Sequence, residues 1–366
     1  MSKVLCFVLC LAWAGKVGYA QDTTHIFSWG AQTHYGTIFA HSEAVENTAG
    51  ARPWGIEATA IWQKISQKVW DNCHCSPKTG IALAYYNYDN PYLGQSLQAG
   101  YFLEPNFRLT KHWELSLRGT LGLAYLTRPH HPVHNPNNQS YSLPISVYLL
   151  AGIGNHFKIS PKWRVGTYLN YQHISNGGLK EPNKGINWIT ASLSAIYTPS
   201  PLDIPARVRA PFHAKTPIEI ETWALFSSKT ARVGEKKRHL IVGIGGQASK
   251  QVSRLSALTA GAEITHDASI VQRMADDRLQ GNGWRISALA GHQFCLGKFR
   301  FSQQFGYYLY QNNPYFDSWY HRWGVTYYPR HRLGIGFNLK AHKHIANFAD
   351  IRIIYKFEPQ KLKKKP

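Results

Sequence analysis

The chain has 366 residues, 13% of them aromatic, and a formal net charge of +21. It opens Met1-Ser2-Lys3, runs apolar from Val4 to Ala14 and reaches Val17-Gly18-Tyr19-Ala20 before Gln21, the pattern of a secretory leader over residues 1–20. A leader excludes nucleic acid as the partner of the basic charge, and after it no apolar stretch approaches the roughly 18 residues of a membrane helix.

Beyond the leader the residues alternate with period two, which predicts strands. A first strand is expected within 24–41, then a polar stretch, 42–52. From Trp54 the even positions Ile56, Ala58, Ala60 and Trp62 are apolar, so Glu57 faces the other way. Cys73-His74-Cys75 comes next; two thiols and one imidazole so close lack the spacing of paired zinc ligands, so a disulfide or a surface loop is expected and no metal. Further strands are expected near 80–87, 95–105, 112–126 and 144–158. Between the last two lies a Pro/His/Asn-rich loop with His130, His131 and His134.

The stretch 163–197 carries the chemistry. Trp163, Val165, Leu169 and Tyr171 alternate with Lys162, Arg164, Asn170 and Gln172. After the loop 176–186, Ile189, Ala191 and Leu193 alternate with Thr190 and Ser192. These are two antiparallel strands. Residues i and i+2 share a face, so His173 and Ser175 stand side by side, and Asn187 also falls on an apolar face. A serine needs an adjacent base, and the base needs a third group to hold its ring. A Ser/His/Asn group on the greasy side of a strand pair suggests a substrate arriving through hydrocarbon. The alternative is a loop whose Ser and Asn serve turns.

About eight strands are thus complete by Tyr197, enough to close a small barrel. Residues 199–217 hold Pro199, Pro201, Pro205, Pro211 and Pro217 and read as a linker. A second strand-rich part spans 218–357, followed by a basic tail, 358–366. The fold class is an all-β, antiparallel transmembrane barrel, with a secreted soluble sandwich as the alternative. One barrel of about 14–16 strands is expected, because a single aromatic strand, Ile351 to Phe357, closes the chain. The linker favours the other architecture, an eight-stranded barrel with a second β domain.

The segment His173-Ile174-Ser175-Asn176, followed by Pro182-Asn183-Lys184-Gly185, resembles the signature of the outer-membrane lipid A 3-O-deacylases (the PagL family). The best-known members of that family carry a glutamate where this chain has Asn187. His-x-Ser-Asn-Gly also resembles outer-membrane phospholipase A, whose third catalytic member is an asparagine. The deacylase resemblance implies an outer-membrane serine esterase that removes an ester-linked acyl chain from lipid A, with Ser175, His173 and Asn187 as its catalytic group. It implies oxyanion donors among Asn176, Asn183, Gly177 and Gly178, phosphate contacts at Lys180 and Lys184, lipopolysaccharide as partner and no cofactor. The phospholipase resemblance would imply calcium, yet Glu181 is the only carboxylate of the loop. A non-catalytic porin or scaffold barrel is the reading outside enzymes.

Overall fold

The computed structural model describes residues 25–204, 207–208, 211–212, 216–232, 235–343 and 345–357. The expected leader and basic tail lie outside the described residues.

Strand alternation produces β1 (His25–Ile38), β2 (Trp54–Lys64), β3 (Lys78–Asn87), β4 (Gln95–Glu104), β5 (Asn106–Arg108), β6 (Trp113–Leu126), β7 (Ile145–Lys158), β8 (Trp163–Ser175) and β9 (Ile186–Tyr197). β5 continues β4 beyond Pro105 along the same neighbour, β6. Each strand is antiparallel to its neighbours, and β1 pairs with β9 over Trp29–Ile38 against Trp188–Tyr197. With β4 paired to β6, the ring is closed and has eight members.

A second ring comes after it: β10 (Glu219–Lys229), β11 (His239–Gln251), β12 (Ser256–Asp267), β13 (Trp284–Leu296), β14 (Phe299–Gln311), β15 (Trp319–Tyr327), β16 (Leu333–His342) and β17 (Ile345–Phe357). It closes on itself through β10–β17 pairing, from Ile220↔Phe357 to Phe226↔Ile351. The expected single barrel of 14–16 strands is therefore corrected to two eight-stranded barrels. The reason is ladder saturation. Once β1 has taken β9, the first ring offers no edge for β10 to join.

Polarity is inverted relative to a water-soluble barrel. On β8, Trp163, Val165, Leu169 and Tyr171 point outward and are exposed, while Tyr168, Asn170 and Gln172 are buried inside. An apolar outer belt on a polar lumen is the pattern that lipid stabilises. Several of the buried lumen charges are paired, which offsets the cost of taking them out of water. In the first barrel Arg118 meets Glu57 at 2.8 Å, and Tyr168 donates to Glu104 at 3.0 Å. In the second, Arg322 and Arg352 meet Glu263 at 2.5 and 3.0 Å.

At the end of the first barrel that carries loop 176–185, the lumen turns aromatic. Trp188 is fully buried, with the rings of Tyr86, Tyr88 and Tyr148 at 5.6, 5.5 and 6.3 Å. Trp188 and Ile174 point inward, so alternation presents Asn187, His173 and Ser175 outward on a rigid wall. At the opposite end a short helix, α1 (Gln67–Cys73), leads into a Cys73–Cys75 disulfide.

Candidate active site

β8 and β9 run side by side with His173 directly opposite Asn187. Cross-strand partners on one face have their Cβ atoms about 5 Å apart, within reach for short side chains. His173 Nδ1 lies 2.6 Å from Asn187 Oδ1, and His173 Nε2 lies 2.9 Å from Ser175 Oγ. A carbonyl oxygen only accepts, so Nδ1 carries the ring proton and Nε2 is left as the acceptor for the serine O–H. The three residues that the sequence pattern grouped are thus in one hydrogen-bonded chain, and that chain can pass the serine proton to the imidazole.

The asparagine amide is held at both ends. Tyr171, two residues before His173 on the same face, donates its hydroxyl to Asn187 Oδ1 at 2.8 Å. Asn187 Nδ2 donates to His41 Nδ1 at 2.8 Å. His41 carries no signal in the sequence. It stands 146 positions from Asn187 and reaches it only because β1 closes on β9, where Phe39 N–H donates to the Asn187 carbonyl at 2.8 Å.

Loop 176–185 is built around Asn176, which is buried. Its Oδ1 accepts from Gly178 and Leu179 N–H, both at 3.0 Å, and its Nδ2 donates to Lys180 O at 2.7 Å. Asn183 Oδ1 accepts the Asn176 N–H at 2.9 Å. Asn176 and Gly178 are therefore committed to holding the loop. Among the described residues no hydrogen bond engages the Gly177 N–H or the Asn183 Nδ2. Lys180 and Lys184 are exposed.

Gly185 sits at φ +80, where a side chain is strained, and a Cβ there would meet His173 Cε1 at 2.9 Å. The glycine lets the returning backbone pass under the imidazole. The Pro/His/Asn-rich loop braces this turn: Gly185 N–H donates to Ser140 O at 2.7 Å and Lys184 N–H to Gln139 O at 3.0 Å. Tyr141 of the same loop donates to Leu93 O at 2.7 Å, and burial pushes its phenol up, so it stays a donor. His130 and His131 serve backbone groups of their own loop. Among the described residues no group of three His, Cys, Asp or Glu is placed to hold a metal ion.

The surroundings of the group are apolar. Leu149 lies opposite His173 on β7, Val147 opposite Ser175, and Phe39, Leu179 and Ile189 are exposed nearby in the chain.

The family model of lipid A 3-O-deacylase (PagL) matches residues 55–195, and that of the acyloxyacyl hydrolase C-terminal domain matches residues 218–360. A search of curated proteins finds no match. Among solved structures, Neisserial surface protein A is 11% identical, with 47% of this chain and 96% of that chain covered and a TM-score of 0.34. The outer membrane enzyme PagL is 15% identical, with 45% and 97% covered and a TM-score of 0.33. A double mutant of the Rh. blastica porin is 11% identical, with 91% and 100% covered and a TM-score of 0.23. Likenesses this low say nothing about function. Through its first barrel the chain belongs to the lipid A 3-O-deacylase (PagL) family of ester hydrolases, and through its second it carries the acyloxyacyl hydrolase C-terminal domain.

Proposed function

We propose that the chain is an outer-membrane esterase that removes an ester-linked acyl chain from lipid A, with Ser175 as nucleophile, His173 as base and Asn187 as the group that orients the imidazole. One observation carries this reading: the serine–imidazole–amide chain lies on the outward, apolar face of the barrel wall. There an acyl ester can reach Ser175 from the hydrocarbon phase without its chains leaving it.

In the first step Ser175 Oγ attacks the ester carbonyl while His173 Nε2 takes the hydroxyl proton. The oxyanion is met by the Gly177 N–H and the Asn183 side-chain amide N–H, two donors of this loop that no hydrogen bond engages among the described residues. The C–O bond breaks as His173 returns the proton to the departing sugar oxygen. Water then attacks the acyl-serine, His173 takes its proton, and release of the fatty acid restores the Ser175 hydroxyl. Asn187 fixes the tautomer but carries no charge to pair with the imidazolium. In a serine protease, an amide in place of the triad acid costs about 10⁴ in rate, through the wrong tautomer. Here Tyr171 and His41 supply the bonds that keep the amide oxygen toward the ring. Lys180 and Lys184 contact the phosphates of lipopolysaccharide.

The test is covalent labelling with a long-chain alkyl fluorophosphonate. One adduct is expected, on the peptide containing Ser175, absent in His173→Ala. Labelling elsewhere, or none in folded protein that still hydrolyses esters, counts against the assignment.

A further inference from the structure

Among its described residues the second barrel places no serine or cysteine at the end of β16 or the start of β17, the pair that matches β8 and β9. At the matching strand pair its outward residues are Leu333, Ile335, Phe337, Ile351, Ile353 and Tyr355. It nevertheless touches the candidate site. Arg238, at the end of the β10–β11 loop, donates from Nη1 to the carbonyl of Gly178 at 3.4 Å. The same guanidinium is pinned on its own barrel by Ser228, through Nε to Oγ at 3.0 Å and Nη2 to the carbonyl oxygen. A further contact ties the opposite ends of the barrels, where Arg254 Nη1 donates to Asp71 O at 2.7 Å.

Arg238 does not arrive alone. Lys236 and Lys237 precede it, and Lys180 and Lys184 stand on the loop it touches; all five are exposed. The two carboxylates within these segments are already engaged. Glu181 accepts from Asn183 N–H at 2.9 Å. Glu235 holds His239 at 2.9 Å and accepts from Ala231 N–H at 2.7 Å. Among the described residues none of the five cations is in an ion pair. A concentration of unpaired cations beside an apolar wall attracts an amphiphile with a multiply charged anionic head.

We propose that Lys236, Lys237 and Arg238 of the second barrel join Lys180 and Lys184 of the first in one cradle for the phosphorylated head group of the lipid whose ester Ser175 attacks. The proposal rests on the esterase reading for its catalytic half, but not for its binding half. The second barrel then selects substrates by their phosphates.

The experiment uses the full chain in detergent micelles, with lipid A and enzymatically dephosphorylated lipid A as paired substrates. In the Lys236→Gln/Lys237→Gln/Arg238→Gln variant, the preference in kcat/KM for the phosphorylated lipid falls about tenfold, through KM. Lys236→Arg/Lys237→Arg keeps the preference, and added salt erodes it in wild type. An unchanged preference in the Gln variant overturns the proposal, as does equal weakening on both lipids. Binding to the Ser175→Ala protein separates the two readings. There the Gln changes raise Kd about tenfold for the phosphorylated lipid only, even if wild type hydrolyses neither substrate. Equal Kd values with and without the three cations overturn the cradle whatever the enzyme does.

Discussion

Gly185→Ala tests whether the loop's return path sets the imidazole. The new Cβ would stand 2.9 Å from His173 Cε1, 3.1 Å from Ile174 O and 3.6 Å from His173 Nδ1. Carbon atoms rest about 3.5–4.0 Å apart, so the ring or the loop must yield by roughly 0.6 Å or more. His173 Nε2 is 2.9 Å from Ser175 Oγ, and such a shift carries that contact to the limit of a hydrogen bond. A left-handed alanine adds a backbone cost of about 1–2 kcal/mol. Against a stability of about 5–15 kcal/mol this leaves the barrel folded. A misplacement of about 1 Å costs on the order of 100-fold in rate, so kcat should fall about 10- to 100-fold with KM little changed. The assay is fatty-acid release from lipid A in micelles, with far-UV circular dichroism and a thermal melt to establish folding. Gly297→Ala is the control for backbone strain, since Gly297 has φ +68 and nothing within 4 Å of its built Cβ. A folded Gly185→Ala with kcat within about twofold of wild type would show that the return path does not set the ring.

Other outcomes come from the same geometry. Asn187→Glu should keep or raise kcat, because a carboxylate accepts from His173 and also pairs with the imidazolium; a folded but inactive variant counts against the orienting role. Tyr171→Phe removes one donor to Asn187 Oδ1, a neutral bond worth about 1 kcal/mol, and should lower kcat about fivefold. Asn176→Ala strips the loop of its central clamp and should expose residues 176–185 to faster proteolysis along with the loss of activity. In the lumen, Arg118→Met leaves Glu57 buried without its 2.8 Å partner and should destabilise the first barrel by about 3–5 kcal/mol, read as an earlier melt.

The strands were legible because alternation is a local signal. β8 and β9 begin and end within a residue of where the pattern changes, and parity alone set His173, Ser175 and Asn187 on one face. Closure is not local. Alternation says that a strand has two faces, but not which strand lies beside it. The choice between one barrel and two therefore turned on β1 pairing with β9, far apart in the chain. His41 was hidden for the same reason. Loop 176–185 was ambiguous in a different way. Asn and Gly residues there serve as turn formers or as donors to an anion, and only the hydrogen bonds of Asn176 separate Gly178 from Gly177. The cations of the second barrel could not be tied to the first at all, because nothing in residues 235–238 signals the carbonyl of Gly178.

Whether Ser175 cleaves an acyl ester of lipid A can be read directly from the lipid. Wild type and Ser175→Ala should be produced in a bacterial outer membrane, and the extracted lipid A and phospholipids weighed by mass spectrometry. Lipid A should lose the mass of one ester-linked acyl chain with wild type and none with Ser175→Ala. Unaltered lipid A with folded, inserted wild type, or the same loss in Ser175→Ala, would contradict the assignment; lysophospholipid in its place would assign the serine to the other lipid.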